Sequence, residues 1–153
     1  MSDTAQAGKN GSDLRVIVVE DHAGLRTVLT RVLKFAQGIE CCGSFEGGRD
    51  ALVGIPEIMP DIVTLDLSMP DMDGIEVLEV IREKWPEIQC ILLSGHDESS
   101  YAKQALDSGA RGYVVKGDAP ELLEAIRAVA DGRRFVSAPF ASLLEESRIM
   151  NDE

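Results

Sequence analysis

Five short apolar runs, each followed by a stretch of helical periodicity, constrain this chain more than any other feature. The runs are Leu14–Val19, Ile39–Phe45, Asp61–Leu65, Ile88–Leu93 and Gly112–Val115. Four are continuously apolar or nearly so and rich in valine, isoleucine and leucine, as strands buried on both faces must be. The second differs. Ile39, Cys41, Gly43 and Phe45 alternate with Glu40, Cys42 and Ser44, the pattern of a half-exposed edge strand.

The helical segments between them carry their own punctuation. Leu25, Val28, Leu29, Val32, Leu33 and Ala36 recur at helical spacing, with Asp21 as a candidate cap and Gly38 as a stop. A weaker helix is expected over Gly48–Met59, kinked or cut short by Gly54 and Pro56. Asp73 and Glu76 form a capping-box pair for a helix that turns Ile75, Leu78, Ile81 and Trp85 inward and stops before Pro86. Glu98–Ser108 has a thin apolar face of Tyr101, Ala102, Ala105 and Leu106. Asp118, Pro120 and Glu121 supply a cap, a first-turn proline and a box partner for a helix burying Leu122, Leu123, Ile126 and Val129, which Gly132 ends.

Strand and helix alternate five times, which predicts an α/β fold: a doubly wound parallel sheet covered by helices on both faces. The second and fifth strands have the least continuous apolar character and are placed at the edges. The expected strand order is therefore the flavodoxin-like (βα)5 order 2-1-3-4-5. Residues 1–13 read as a flexible polar tail, 14–132 as the domain, and 133–153 as an appendage with a candidate short helix over Phe140–Arg148.

In an open sheet of this kind, ligands bind beyond the carboxyl ends of the strands. Glu20 and Asp21 follow the first strand, Asp66 the third, Ser94 and Gly95 the fourth, and Lys116 ends the fifth. Three carboxylates, a hydroxyl and an ammonium thus gather at one rim. Two like charges ~4 Å apart repel by about 4 kcal/mol at an effective dielectric near 20. Such a rim calls for a proton or a cation, and Mg2+ (or Mn2+) suits oxygen ligands while leaving positions for phosphate oxygens. An aspartate can attack phosphorus and become an aspartyl phosphate. That transfer needs an in-line nucleophile, a cation and donors around the equatorial oxygens, roles that Asp66, the metal, Lys116 and Ser94 could fill.

Four blocks, VIVVEDH, DIVTLDLSMPDMDG, ILLSG and GARGYVVK, resemble those of bacterial response-regulator receiver domains in order and interval, over about residues 14–132. The resemblance implies that Asp66 is the phosphoacceptor of a two-component system. It implies that Asp21 holds Mg2+ directly and Glu20 partly through water, with the backbone carbonyl of Ser68 as a further ligand. Ser94 would bond the arriving phosphoryl group and Lys116 would pair with it. Tyr113 is similar to the switch aromatic that turns inward as the Ser94 hydroxyl moves. The implied donor is a phosphohistidine on a sensor histidine kinase or a histidine phosphotransfer protein. The implied output surface for a downstream protein comprises Glu98–Ser108, the fifth strand and the last helix; homodimerisation is a further candidate use. The chain departs from many receivers at Gly117, where proline is frequent, and at Ser94, where threonine is commoner. Its blocks look most like those of regulators carrying a helix-turn-helix domain, for which the twenty or so residues after Gly132 are too few.

Plainer roles exist for each residue taken singly. Asp21 could be only a helix cap, Lys116 a solvated strand end, Ser94 a turn residue beside Gly95, and Tyr113 a half-buried edge aromatic. Asp66 could precede a turn at Pro70, but a charge closing a buried strand is costly without a partner. His22 reads as a first-turn helix residue and His96 as exposed; histidines so far apart make no metal site. The three cysteines read as free thiols in a reducing cytoplasm, with Cys41 and Cys42 on opposite faces of their strand.

A formal net charge of −12 disfavours direct DNA binding, which relies on Lys and Arg. No apolar run approaches the ~20 residues of a membrane span, and the N-terminus lacks a secretory core. The expectation is a cytoplasmic, phosphorylation-activated protein switch rather than a multiple-turnover enzyme. The alternatives are the receiver half of a transcriptional regulator and a receiver that no longer accepts phosphate. An Asp-nucleophile phosphatase would normally show D-x-D-x-T, whereas Asp66-Leu67-Ser68 lacks the second aspartate. A flavin-binding domain would need a phosphate-accepting loop where Glu20 and Asp21 stand.

Overall fold

The computed structural model describes residues 13–95 and 100–141. Strands β1 (Leu14–Val19), β2 (Ile39–Phe45), β3 (Ile62–Asp66), β4 (Gln89–Ser94), β5 (Gly112–Val115) and β6 (Phe135–Val136) form one parallel sheet in the order β2-β1-β3-β4-β5-β6. Helices α1 (Ala23–Phe35), α2 (Gly48–Ile58), α3 (Gly74–Lys84), α4 (Ala102–Asp107) and α5 (Ala119–Ala130) connect them. The doubly wound, flavodoxin-like fold expected from the alternation is present, with β2 at one edge.

The pleat divides the core into two layers, because successive side chains on a strand point to opposite faces. Ile17, Val19, Val63, Leu65, Cys90, Leu92 and Tyr113 pack with residues of α2, α3 and α4. Val16, Val18, Ile62, Ile91, Leu93 and Val114 pack with α1 and α5. This two-sided burial is why the central strands have almost no polar positions.

Several expectations are corrected. The appendage adds β6 outside β5, pairing Gly112 with Phe135 and Tyr113 with Val136, so β5 is not an edge. A helical turn over residues 138–141 follows it; the rest of the helix expected over Phe140–Arg148 lies outside the described residues. In β2 the register skips Cys42, pairing Val16 with Cys41 and Ile17 with Gly43. That bulge breaks the alternation: Ile39 and Cys41 line one layer while Cys42 and Phe45 line the other. Helix α2 neither ends at Gly54 nor at Pro56 but runs to Ile58, where Met59 caps it at φ 46°. Gly54 lets the Phe45 ring approach, since a Cβ there would stand 2.5 Å from it. Helix α1 is capped by His22, whose Nδ1 accepts from the Leu25 amide at 3.0 Å, not by Asp21. Val28, expected inside, is exposed, as is Phe35 at 83%. Helix α4 starts at Ala102 after a tighter turn at Ser100 and Tyr101, and Tyr101 is exposed; residues 96–99, including His96 and Glu98, lie outside the described residues.

The capping box of α3 is present as expected, Asp73 accepting from the Glu76 amide at 2.9 Å and Glu76 accepting from the Asp73 amide at 3.0 Å. Ile75, Leu78 and Ile81 are buried, and Trp85 is a half-buried cap before Pro86. Asp118 caps α5 through the Glu121 amide, but the Glu121 carboxylate accepts from Ser137 at 2.6 Å instead of closing a box. The first residue of α3, Gly74, lies against the chain leaving β3. A Cβ on it would meet the Asp66 carbonyl oxygen at 2.6 Å and Leu67 Cα at 3.0 Å, both backbone atoms that cannot swing aside. Gly74→Ala should therefore lower stability by about 1–3 kcal/mol in urea unfolding and shift the backbone resonances of Asp66 and Leu67; unchanged stability would contradict this close approach.

Candidate functional site

The rim expected from the sequence is assembled at the carboxyl ends of β1, β3, β4 and β5. Glu20 leaves β1 with its backbone held by the Phe45 carbonyl on one side and by Arg26, whose Nη1 donates to the Glu20 carbonyl at 2.8 Å. Its side chain is wholly buried, and Oε2 accepts from the His22 amide at 3.1 Å. Asp21, released from any capping duty, is exposed at the mouth. Glu20, Asp21 and Asp66 each bring a carboxylate oxygen within 4.8 Å of the others.

Asp66 ends β3 and is also wholly buried. Its Oδ1 accepts from Lys116 Nζ at 2.7 Å and from the Ser68 amide at 3.2 Å. Lys116 Nζ lies 3.9 Å from Glu20 Oε1 as well, so one ammonium spans both buried carboxylates. Ser94 closes β4 with a buried hydroxyl that donates to the Gly95 carbonyl at 3.1 Å and accepts from Tyr113 Oη at 3.0 Å. Tyr113 is wholly buried rather than a half-buried edge residue. Ser68 is present beside Asp66 through its amide; Gly117 takes φ 91° in the loop after Lys116, a conformation that suits glycine.

The charges of this rim do not cancel. Among the described residues, three carboxylates face one ammonium within a few ångströms. Among the described residues, two buried oxygens, Glu20 Oε1 and Asp66 Oδ2, have no hydrogen-bond partner. A buried oxygen left this way costs about 1–3 kcal/mol, more when charged. Burial, the neighbouring Asp21 carboxylate and the charge of Glu20 push Asp66 up to about 8, against the pull of Lys116. Hard carboxylate oxygens with unused lone pairs and a surplus of negative charge fit a divalent cation such as Mg2+.

Sequence reasoning missed His22 and Arg26. His22 takes over the cap expected of Asp21, and Arg26 ties down the Glu20 carbonyl. Their spacing one residue beyond, and one and a half helical turns beyond, the acidic pair was the only available signal.

A protein-family model described as the response regulator receiver domain matches residues 16–127. Among relatives, a response regulator GacA of Pseudomonas aeruginosa is 33% identical over 132 residues, covering 86% of this chain and 62% of the relative. A transcriptional regulatory protein DegU of Brevibacillus brevis is 29% identical over 147 residues, covering 94% and 62%. The chain thus spans less than two thirds of these relatives' length. A crystal structure of a LuxR-family two-component response regulator from Aurantimonas sp. SI85-9A1 superposes with a TM-score of 0.84 at 32% identity, covering 90% of this chain and 99% of that one. The ordered blocks and the residues of the acidic rim lie within the matched length, and this chain belongs to the response regulator receiver domain family.

Proposed function

We propose that this chain is a phosphorylation-activated switch that accepts a phosphoryl group on Asp66 from a phosphohistidine donor in the presence of Mg2+. The observation that carries the proposal is, among the described residues, the combination of two buried carboxylate oxygens without a hydrogen bond and one lysine that reaches both carboxylates. Glu20, Asp21 and Asp66, with the Ser68 carbonyl, are the residues that would hold the cation. When bound, it would offset the surplus negative charge and screen the incoming phosphoryl oxygens from the carboxylates.

The residues' own parts follow from their contacts. A carboxylate oxygen of Asp66 attacks phosphorus, an O–P bond forms, and the donor's N–P bond breaks with the electron pair returning to the imidazole. Lys116 is positioned to follow the charge from the carboxylate onto a phosphoryl oxygen. Ser94 can turn its donor from the Gly95 carbonyl to the phosphoryl group while still accepting from Tyr113. Each phosphoryl group is accepted once per donor, so the chain is proposed to be a switch and not a multiple-turnover enzyme.

The proposed donors are a sensor histidine kinase or a histidine phosphotransfer protein. The proposed output is protein contact through α4, β5 and α5, with homodimerisation as one form of it. Among the described residues no helix is long and apolar enough to cross a membrane; a cytoplasmic place is proposed with the kinase partner. A second reading is favoured by the relatives' length: the chain as receiver half of a transcriptional regulator, with DNA contacts made elsewhere.

Acetyl phosphate with Mg2+ should add one hydroxylamine-labile phosphoryl group, seen by intact-mass spectrometry, and Asp66→Ala should abolish it. A label that survives Asp66→Ala would place the acceptor elsewhere. Lys116→Ala should slow the same reaction by about 10²–10³-fold, as loss of a charge-stabilising donor does. Because Asp66 is raised to about 8 without a cation, the proton competes with Mg2+. Calorimetric Mg2+ affinity should climb as pH rises from 6 to about 8 and then level. In the same window the cation-free protein should lose stability. There the folded state holds a proton that the unfolded chain, with an ordinary aspartate, has already released.

A further inference from the structure

The residues after α5 reach back to the proposed phosphoryl site. Strand β6 pairs with β5, and the Ser137 amide donates to the Tyr113 carbonyl at 3.0 Å. The Ser137 hydroxyl is buried; it accepts from the Val115 amide at 3.0 Å and donates to Glu121 at 2.6 Å. It therefore fastens this segment both to the residue before Lys116 and to the first turn of α5. Phe140, wholly buried, sets its ring edge-on against Tyr113, with centroids 4.7 Å apart and planes at 70°. Tyr113 in turn donates to Ser94 Oγ. Two contacts thus connect Phe140 to the hydroxyl expected to meet the phosphoryl group.

We propose that residues 135–141 are a clasp that positions Ser94 through Tyr113, with Phe140 as the positioning residue, and that phosphoryl acceptance at Asp66 tightens the clasp in return. The physical basis is the space that Phe140 fills. Edge-to-face rings favour this geometry, and a filled site denies Tyr113 an outward rotamer. With Tyr113 held inward, the Ser94 hydroxyl is oriented before the phosphoryl group arrives, and a donor oriented in advance needs no reorganisation during transfer. Without the Phe140 ring, Tyr113 gains room to leave, and Ser94 loses the bond that fixes its rotamer. Coupling between two sites is reciprocal, so a group bound at Ser94 must stabilise the docked tail by the same factor by which the tail strengthens its binding. The segment of chain that continues past residue 141 would then leave from a point whose docking depends on the state of Asp66.

This inference rests on the phosphoacceptor reading, and the test separates the two. Beryllofluoride with Mg2+ serves as the probe on the full chain. If wild-type protein binds no beryllofluoride, the phosphoacceptor reading fails, and the clasp with it. Given binding, hydrogen exchange at the Ser137 and Phe140 amides should slow on beryllofluoride addition by more than at the amides of β2, which lies at the far edge. Equal or no slowing overturns the clasp while leaving the phosphoacceptor reading intact. Phe140→Ala should weaken beryllofluoride binding by about fivefold or more, and this loss should vanish in a Tyr113→Ala background. A loss of the same size in both backgrounds, or none in either, overturns the route through Tyr113. Should Phe140→Ala not fold, the wild-type exchange comparison decides alone.

Discussion

Glu20 and Asp66 are carboxylates with no exposure to solvent, and the rest of this structure is arranged around keeping them there. Burial of a charge costs several kcal/mol unless it is paired. Here the compensation is local and incomplete. Lys116 bridges the two, the His22 and Ser68 amides each donate to one oxygen, and among the described residues two oxygens are left without a hydrogen bond. A site tuned only for stability would have filled them or replaced them with apolar groups. On the proposed reading this incompleteness is what a cation and a phosphoryl group would use; burial and the neighbouring carboxylates raise Asp66 to about 8.

The parallel sheet is what allows this. Strands β1, β3, β4 and β5 all end at the same rim because they all run in the same direction. Both faces are sealed by helices, so the low-dielectric layers beneath the rim keep water from screening the cluster. Local details then aim the side chains. The contact of Gly74 with the Asp66 carbonyl closes the turn after β3, and Arg26 fixes the carbonyl of Glu20. Tyr113 belongs to the same economy: its ring completes the α3–α4 layer, and its hydroxyl reaches the rim.

The acidic rim was legible because strand ends are readable. A strand buried on both faces must be apolar, so the first polar residues after each run mark where it surfaces. Glu20, Asp21, Asp66, Ser94 and Lys116 were all found that way. What could not be read was which backbone groups each side chain would meet. Asp21 is the cap expected from the chain; His22 takes that place in the structure, which leaves Asp21 for the acidic cluster. Asp118 and Glu121 spell a capping box, yet Glu121 has a better partner in Ser137, sixteen residues away. The residue types of β2 alternate without a break because a bulge at Cys42 leaves no mark on residue type.

By itself the sequence determined the five alternating units, the parallel sheet and the set of residues at its carboxyl rim, since two-sided burial and helical period leave few other solutions. Only the tertiary structure decided how the charges are shared among Glu20, Asp66 and Lys116, and that β5 is covered by β6 instead of ending the sheet. Only it showed Phe140 lying on Tyr113. These depend on distances between residues far apart in the chain, which composition and periodicity do not encode. The same three-dimensional packing turns a list of acidic positions into a rim with unfilled oxygens, linked through two side chains to the residues that follow the last helix.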